Sequence, residues 1–229
     1  MDKETAKELV AISSQVLASQ GQDDFIWGHT SIRDPENRGV WIKQAEWSLG
    51  EVTPDRVHLV SKAGEVLEGD GARHSEYPIH TEIMNARPDI GAVVHTHPPY
   101  SVALGASGQP LRPVSHAANM FVPQDIPRFT LTADLIMTPK LGEKLANALG
   151  TFNAIFLVNH GIVTVGEDIQ TATVRAVVLE QAARQQLLTN QMGGWPTWSD
   201  SEESMQKRIH VYNDRAVHAV WDYLVRNLP

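Results

Sequence analysis

Two histidines separated by a single residue, His95 and His97, close an apolar run that begins Gly91-Ala92-Val93-Val94. In an extended strand, residues i and i+2 project to one face, so the two imidazoles stand side by side as half of a metal site. The plainer alternative is a pair of strand histidines satisfied by backbone groups. His160 weighs against it, because it interrupts a second apolar run, Ile155-Phe156-Leu157-Val158, where an unpartnered polar group is costly to bury. Three imidazoles suit zinc, manganese, cobalt or iron and leave coordination positions open for substrate. Glu76 is the acid of interest, although stabilisation of a helix N-terminus would also explain a carboxylate there.

Two other uses of a His-x-His pair fail on this chain. A cupin-type site needs a glutamate shortly after the pair, and the residues that follow are Pro98-Pro99-Tyr100-Ser101-Val102-Ala103-Leu104-Gly105. An oxygenase facial triad needs His-x-Asp or His-x-Glu, and the second partner here is His97.

The composition narrows the chemistry further. The 229 residues include ten histidines and no cysteine, which excludes disulfides, thiolate nucleophiles and iron-sulfur ligation. With 42% hydrophobic and 20% charged residues, the chain is long enough to bury a core as one domain over 1–229, with 195–229 as a C-terminal helical extension. A net charge of −8 disfavours nucleic acid or an anionic membrane as partner. Met1 to Gln20 is too charged for a signal peptide, and no apolar run approaches a membrane span. A cytoplasmic protein is expected.

The elements that must position these residues follow from periodicity. Ala6, Leu9, Val10, Val16 and Leu17 mark an amphipathic helix capped by Asp2 and stopped at Gly21. Phe25 to Arg33, Gly39 to Lys43 and Val57 to Val60 read as short strands between turns, a spacing that favours antiparallel pairing. Glu76 to Ala86 reads as a helix with Ser75 as N-cap and Pro78 in its first turn. Gly91 to His97 is a strand, with a helix at Tyr100 to Leu104 and another at Pro139 to Leu149. Ala154 to Val165 is an apolar strand broken at Asn159-His160-Gly161, and Asp168 to Met192 is a long helix. Gly193-Gly194-Trp195-Pro196 marks a boundary before a final helix, Ser201 to Leu228, whose Val211, Val217, Val220, Trp221 and Leu224 form a packing stripe.

Four segments carry a resemblance. Gly28-His29-Thr30-Ser31-Ile32-Arg33, His74-Ser75-Glu76-Tyr77-Pro78-Ile79-His80, Ala92-Val93-Val94-His95-Thr96-His97 and Asn159-His160-Gly161 occur in the order and spacing of the class II aldolase/adducin family, which the chain resembles over residues 5 to 190. The resemblance implies an α/β fold of three layers, α/β/α, with a mostly antiparallel central sheet. It also implies a homotetramer with active sites at subunit boundaries. One divalent metal per subunit, zinc first, would be held by His95, His97 and His160, with Glu76 as catalytic acid and base. Tyr212 or Tyr223 could reach a neighbouring subunit's site, since relatives often receive an aromatic residue this way.

The departures point to a branch. Sugar-phosphate aldolases of the family resemble Gly-Asn-x-Ser in the first loop and Ser-Ser-Glu before the helix, where this chain has Gly28-His29 and His74-Ser75. Where the fuculose-phosphate type carries a tyrosine, this chain has His116 followed by Ala117. The variant is similar to the decarboxylases that act on hydroxylated aromatic carboxylates. The resemblance therefore implies a carbon-carbon lyase for a small, anionic, dihydroxyphthalate-like or similarly enolisable substrate, through a metal-stabilised enolate. His116 is a second candidate catalytic group. His29, Ser31, Arg33, His74 and Ser75 are candidates to hold the substrate, Arg33 through a bidentate carboxylate contact. The alternatives are an aldolase for a sugar-derived or hydroxyacid substrate, and a non-catalytic adducin-like interaction module. His58, His80, His210 and His218 carry no assigned role.

Overall fold

A computed structural model describes residues 1–193 and 196–229. Asp2 caps α1 (Lys3–Leu17) by accepting from the Thr5 amide, and Gly21, at φ +76°, turns the chain out of the helix. There follow β1 (His29–Arg33), β2 (Gly39–Lys43), β3 (Val57–Ser61), β4 (Val66–Glu68), α2 (Tyr77–Ala86), β5 (Ala92–Thr96), α3 (Pro99–Ser107) and β6 (Arg128–Phe129). The chain continues through α4 (Pro139–Leu149), β7 (Ala154–Leu157), β8 (Gly161–Gly166), α5 (Ile169–Gln191), α6 (Ser201–Val211) and α7 (Asp214–Arg226). None of these helices is long and apolar enough to cross a membrane.

The eight strands form one sheet in the order β4-β3-β2-β1-β5-β8-β7-β6. Every neighbouring pair is antiparallel except β6 with β7. The expected three layers are present, because the strands bury both faces. Ile32, Trp41, Val94, Phe156 and Ile162 face α1, α3 and α5, joined by Leu179 and, from α7 packed on α5 and α1, Trp221. Val40, Ile42, Val93, Ile155 and Val163 face α2 and α4, joined by Ile79, Ile83 and Leu145.

Several boundaries differ from the sequence reading. The first strand begins at His29, because residues 24–27 close a tight turn with Phe25 at φ +51°. Ala154 to Val165 is a hairpin, not one interrupted strand: β7 and β8 pair through Leu157 and Gly161. Ser75 does not cap α2; Glu76 occupies the N-cap, with its side chain turned away from the helix amides. The final helix is two helices, because Asn213 caps α7 by accepting from the Ala216 amide. Val217, Trp221 and Leu224 of the expected stripe are buried. The boundary at Gly193-Gly194-Trp195-Pro196 falls partly outside the described residues, at 194 and 195.

Candidate metal centre

Three adjacent strands bring the histidines together. His95 lies in β5 directly opposite His29 of β1 on one side and Val163 of β8 on the other. His97 follows the end of β5. His160 belongs to the three-residue connection of the β7–β8 hairpin, where Asn159 takes a left-handed φ of +60° and the His160 amide donates to the Leu157 carbonyl at 3.0 Å. Gly161 is required next to it. A Cβ there would lie 2.6 Å from the Thr96 carbonyl oxygen and 2.7 Å from Cδ2 of His97. The three rings end 4.8 to 5.4 Å apart.

Their hydrogen bonds leave lone pairs facing inward. His95 donates from Nδ1 to the Ile162 carbonyl at 2.8 Å, and His97 donates from Nδ1 to the Asp24 carboxylate at 3.0 Å. Each ring therefore keeps an unprotonated Nε2, and those two nitrogens face one another at 3.1 Å. Two lone pairs so placed repel unless a cation lies between them. The separation is close to the roughly 3.3 Å kept by two nitrogens on one tetrahedral zinc ion. Burial lowers the pKa of His95 and His97 and keeps both imidazoles neutral, the form that binds metal. The Asp24 and Ile162 contacts fix the tautomers. The donor set fits a divalent transition metal held by His95, His97 and His160, whose ligand atoms all lie within 4.8 Å of one another.

Glu76 faces this centre. Its Oε2 is 3.7 Å from Nε2 of both His95 and His160, and its Oε1 accepts from the Ile136 amide at 2.7 Å. Burial raises its pKa, while the hydrogen bond from the Ile136 amide and the charge His160 and His95 would carry if protonated lower it below the ordinary carboxyl value. Helix α2 starts one residue later, so the carboxylate is fixed by the entry of the chain into that helix.

A second layer of polar side chains runs away from the centre along β1, β2 and α2. His29 Nε2 is 4.0 Å from Glu76 Oε2, while His29 Nδ1 is 2.6 Å from Nε2 of His80. His80 Nδ1 is in turn 2.6 Å from the Ser31 hydroxyl. His74 packs its ring on His29 at 4.4 Å and takes a hydrogen bond from the Lys43 ammonium at 3.1 Å. Lys43 also donates to the Ile26 carbonyl at 3.2 Å. Burial pulls the ammonium down to about 7 and His74 down to about 2. His29, Ser31 and His74 thus join the cluster.

Arg33, Ser75 and His116 do not. Arg33 is at the far end of β1 and donates to the carbonyls of Met84, Arg87 and Ile90, closing the C-terminal end of α2; its guanidinium is already committed. Ser75 is exposed. His116 is exposed beside a separate cavity of about 420 Å³, lined also by Pro113, Trp198, Ser199, Glu203 and Lys207. Tyr212 packs half-buried against the α1/α5 side of the core, and Tyr223 is exposed.

Lys43, His80 and Asp24 were not singled out from sequence. Lys43 had a readable signal, since it ends the apolar run Val40-Trp41-Ile42 as His97 ends its own.

Comparison with known proteins agrees with this architecture. Residues 7–187 match the family described as Class II Aldolase and Adducin N-terminal domain, and the chain belongs to that family. It is 31% identical over 206 residues to a 3,4-dihydroxyphthalate decarboxylase from Arthrobacter keyseri, covering 82% of this chain and 80% of that protein. It is also 31% identical over 169 residues to an L-fuculose phosphate aldolase from Methanococcus maripaludis, covering 72% of this chain and 87% of that protein. Among solved structures it resembles an L-fuculose 1-phosphate aldolase from Glaciozyma antarctica, with a TM-score of 0.87 at 24% identity, over 99% of this chain and 89% of that one.

Proposed function

We propose that the protein is a metal-dependent carbon-carbon lyase that decarboxylates a hydroxylated aromatic acid of the dihydroxyphthalate type. The observation that carries this reading is the layer of imidazoles continuing from the three-histidine centre, with the His29 and His74 rings 4.4 Å apart at a 50° tilt and Lys43 behind them. Flat rings and a cation suit a planar aromatic anion. The decarboxylase relative supports the same direction.

His95, His97 and His160 hold the ion, one per chain, with zinc as first choice and manganese, cobalt or iron as alternatives. When bound, a divalent ion draws electron density from a substrate oxygen and lowers the cost of the negative charge left on carbon by departing carbon dioxide. Glu76, ionised in the free site, takes the proton of the substrate hydroxyl and returns it to the ring carbon after the carbon-carbon bond breaks. His29, next to it at 4.0 Å, steadies the carboxylate and occupies the substrate side. A homotetramer working in the cytoplasm belongs to the same reading. Ser31, Arg33, Ser75 and His116 receive no substrate contact in it: Ser31 is engaged with His80, and the other three lie outside the cluster.

The aldolase relative, equally similar in identity, supports a second reading: cleavage of a sugar-derived phosphate. Metal-loaded protein assayed on a panel of hydroxyphthalates and sugar phosphates separates the two. Carbon dioxide from a hydroxyphthalate is the expected result; aldehyde from a sugar phosphate without carbon dioxide overturns the decarboxylase reading. A protein that binds no divalent metal, with metal content unchanged in His95→Ala, would be a non-catalytic interaction module.

A further inference from the structure

Two of the three histidines sit where the sheet gives their strand least support. Among the described residues, β1 pairs with β5 only as far as His95, the last residue of β5, Thr96, pairs with Ile162 of β8, and His97 follows beyond it. The Thr96 side chain points away from the His95 imidazole, on the face that Ala92 and Val94 turn toward α5. There its buried hydroxyl donates to Oε1 of Gln22 at 2.7 Å.

Gln22 is itself buried, and its amide is used at both ends. While Oε1 accepts from Thr96, Nε2 donates to the Ala176 carbonyl of α5 at 3.0 Å. A carbonyl can only accept, so the NH2 group must face Ala176 and the orientation of the amide is settled. Gly21, at φ +76°, turns the chain out of α1 immediately before it. Two residues later, Asp24 accepts from Nδ1 of His97 at 3.0 Å. Three residues of chain thus hold the strand end from behind, through Thr96, and its last imidazole from the side, through Asp24. A buried amide costs free energy unless both ends are paired, a demand that an apolar side chain of the same length would not make.

We propose that Gln22 is a positioning residue for the metal centre: it ties the end of β5 to α5 and so fixes the spacing of His95 and His97, whose Nε2 atoms stand 3.1 Å apart. It touches neither ion nor substrate and acts through Thr96. This rests on reading the three histidines as a metal site, and is independent of which carbon-carbon bond is cleaved there. With the tether cut, the strand end past His95 keeps its pairing with β8 and the Asp24 contact but loses its anchor to the helix layer. The two imidazoles then lose the fixed separation that suits one ion between them.

Binding of zinc and of cobalt(II), measured by competition with a chelator, tests this, with the visible absorption of bound cobalt reporting its coordination. Thr96→Val keeps the shape of that side chain and removes its donor; Gln22→Met removes both hydrogen bonds at similar length. Each should weaken metal binding by about 10- to 100-fold and alter the cobalt spectrum. Thr173→Val supplies the control, because it removes the 2.7 Å hydrogen bond between Ser13 and Thr173 that also ties α1 to α5. It should lower stability to denaturant and leave both metal readouts unaltered. Affinity and spectrum unchanged in Thr96→Val would overturn the proposal, whether or not Gln22→Met folds. So would equal weakening in Thr173→Val, which would reduce the tether to general stability. Unaltered protein that binds neither metal would remove the metal reading and the tether with it. Metal binding that depends on Gln22 and Thr96, without carbon dioxide release from any hydroxyphthalate, leaves the tether standing and removes the decarboxylase reading. Carbon dioxide release by the unaltered protein, with metal affinity identical in all three variants, does the reverse.

Discussion

Both ends of the central sheet are rich in polar side chains, yet they are built on opposite terms. At the end where β1 finishes and β5 begins, Arg33 donates to the carbonyls closing α2, Arg87 to those of Gly150 and Phe152, and Arg175 to that of Val165. Cations there meet acceptors, and the result is cohesion. At the other end the pairings are mismatched: two imidazole lone pairs face each other at 3.1 Å, and an ammonium faces an imidazole without a carboxylate. The difference teaches that partners, more than polarity or burial, distinguish a structural region from a reactive one. Groups that do not satisfy each other are retained for something that arrives from outside.

Substitutions should separate the two ends. The largest effect is expected at the metal ligands: His95→Ala should lose its ion, as measured by metal content per chain, and bring carbon dioxide release down to the uncatalysed level. Glu76→Gln keeps the ligands and removes the proton carrier, so turnover should fall by about 10²–10⁴-fold with metal content unchanged. Loss of metal in that variant would instead make Glu76 a ligand.

At the opposite end the expected signs reverse. Arg33→Met should destabilise the fold by about 1.5–3 kcal/mol, because buried carbonyls lose a charged donor, and leave turnover per folded chain unaltered. Denaturant unfolding beside kinetics reads both. A large drop in turnover without loss of stability would restore Arg33 to the substrate and erase the contrast between the ends.

The smallest effect is on acid stability. In the folded chain burial lowers His80 to about 3, against 6.5 for the free side chain. Below pH 6.5 the unfolded chain therefore binds a proton that the folded chain refuses, and stability is lost progressively as pH falls from 6.5 toward 3. His74, lowered to about 2, has the same sign. The melting temperature should drop by several degrees, roughly, between pH 7.5 and pH 5, and less in His80→Asn. A melting temperature unchanged between those values would show that folding leaves the proton affinity of the inner histidines unaltered.

The three histidines that meet in the structure were legible because each announces itself locally: a polar residue at the end of an apolar strand, at a spacing that fixes its face. So were the sheet and its helical layers, since apolar strands of this type must be covered on both sides. Lys43, His80 and Asp24 were not, because their meaning depends on partners 31, 51 and 73 residues away in sequence. Arg33 misled for the same reason. It shares a strand face with His29, but four residues of strand carry it to the other end of the sheet, and spacing alone does not say which end is used. The split of the C-terminal helix turned on one cap, Asn213, which the continuous apolar stripe across it concealed.

The short turn that begins at Asp24 is held at two points. Its first residue grips His97 by a carboxylate, and two residues on, the Ile26 carbonyl holds Lys43. Phe25 between them takes a left-handed backbone, which leaves little slack. One short turn thus touches both the three-histidine cluster and the enclosed ammonium. A change in that turn is therefore expected to disturb the His97 and Lys43 contacts together.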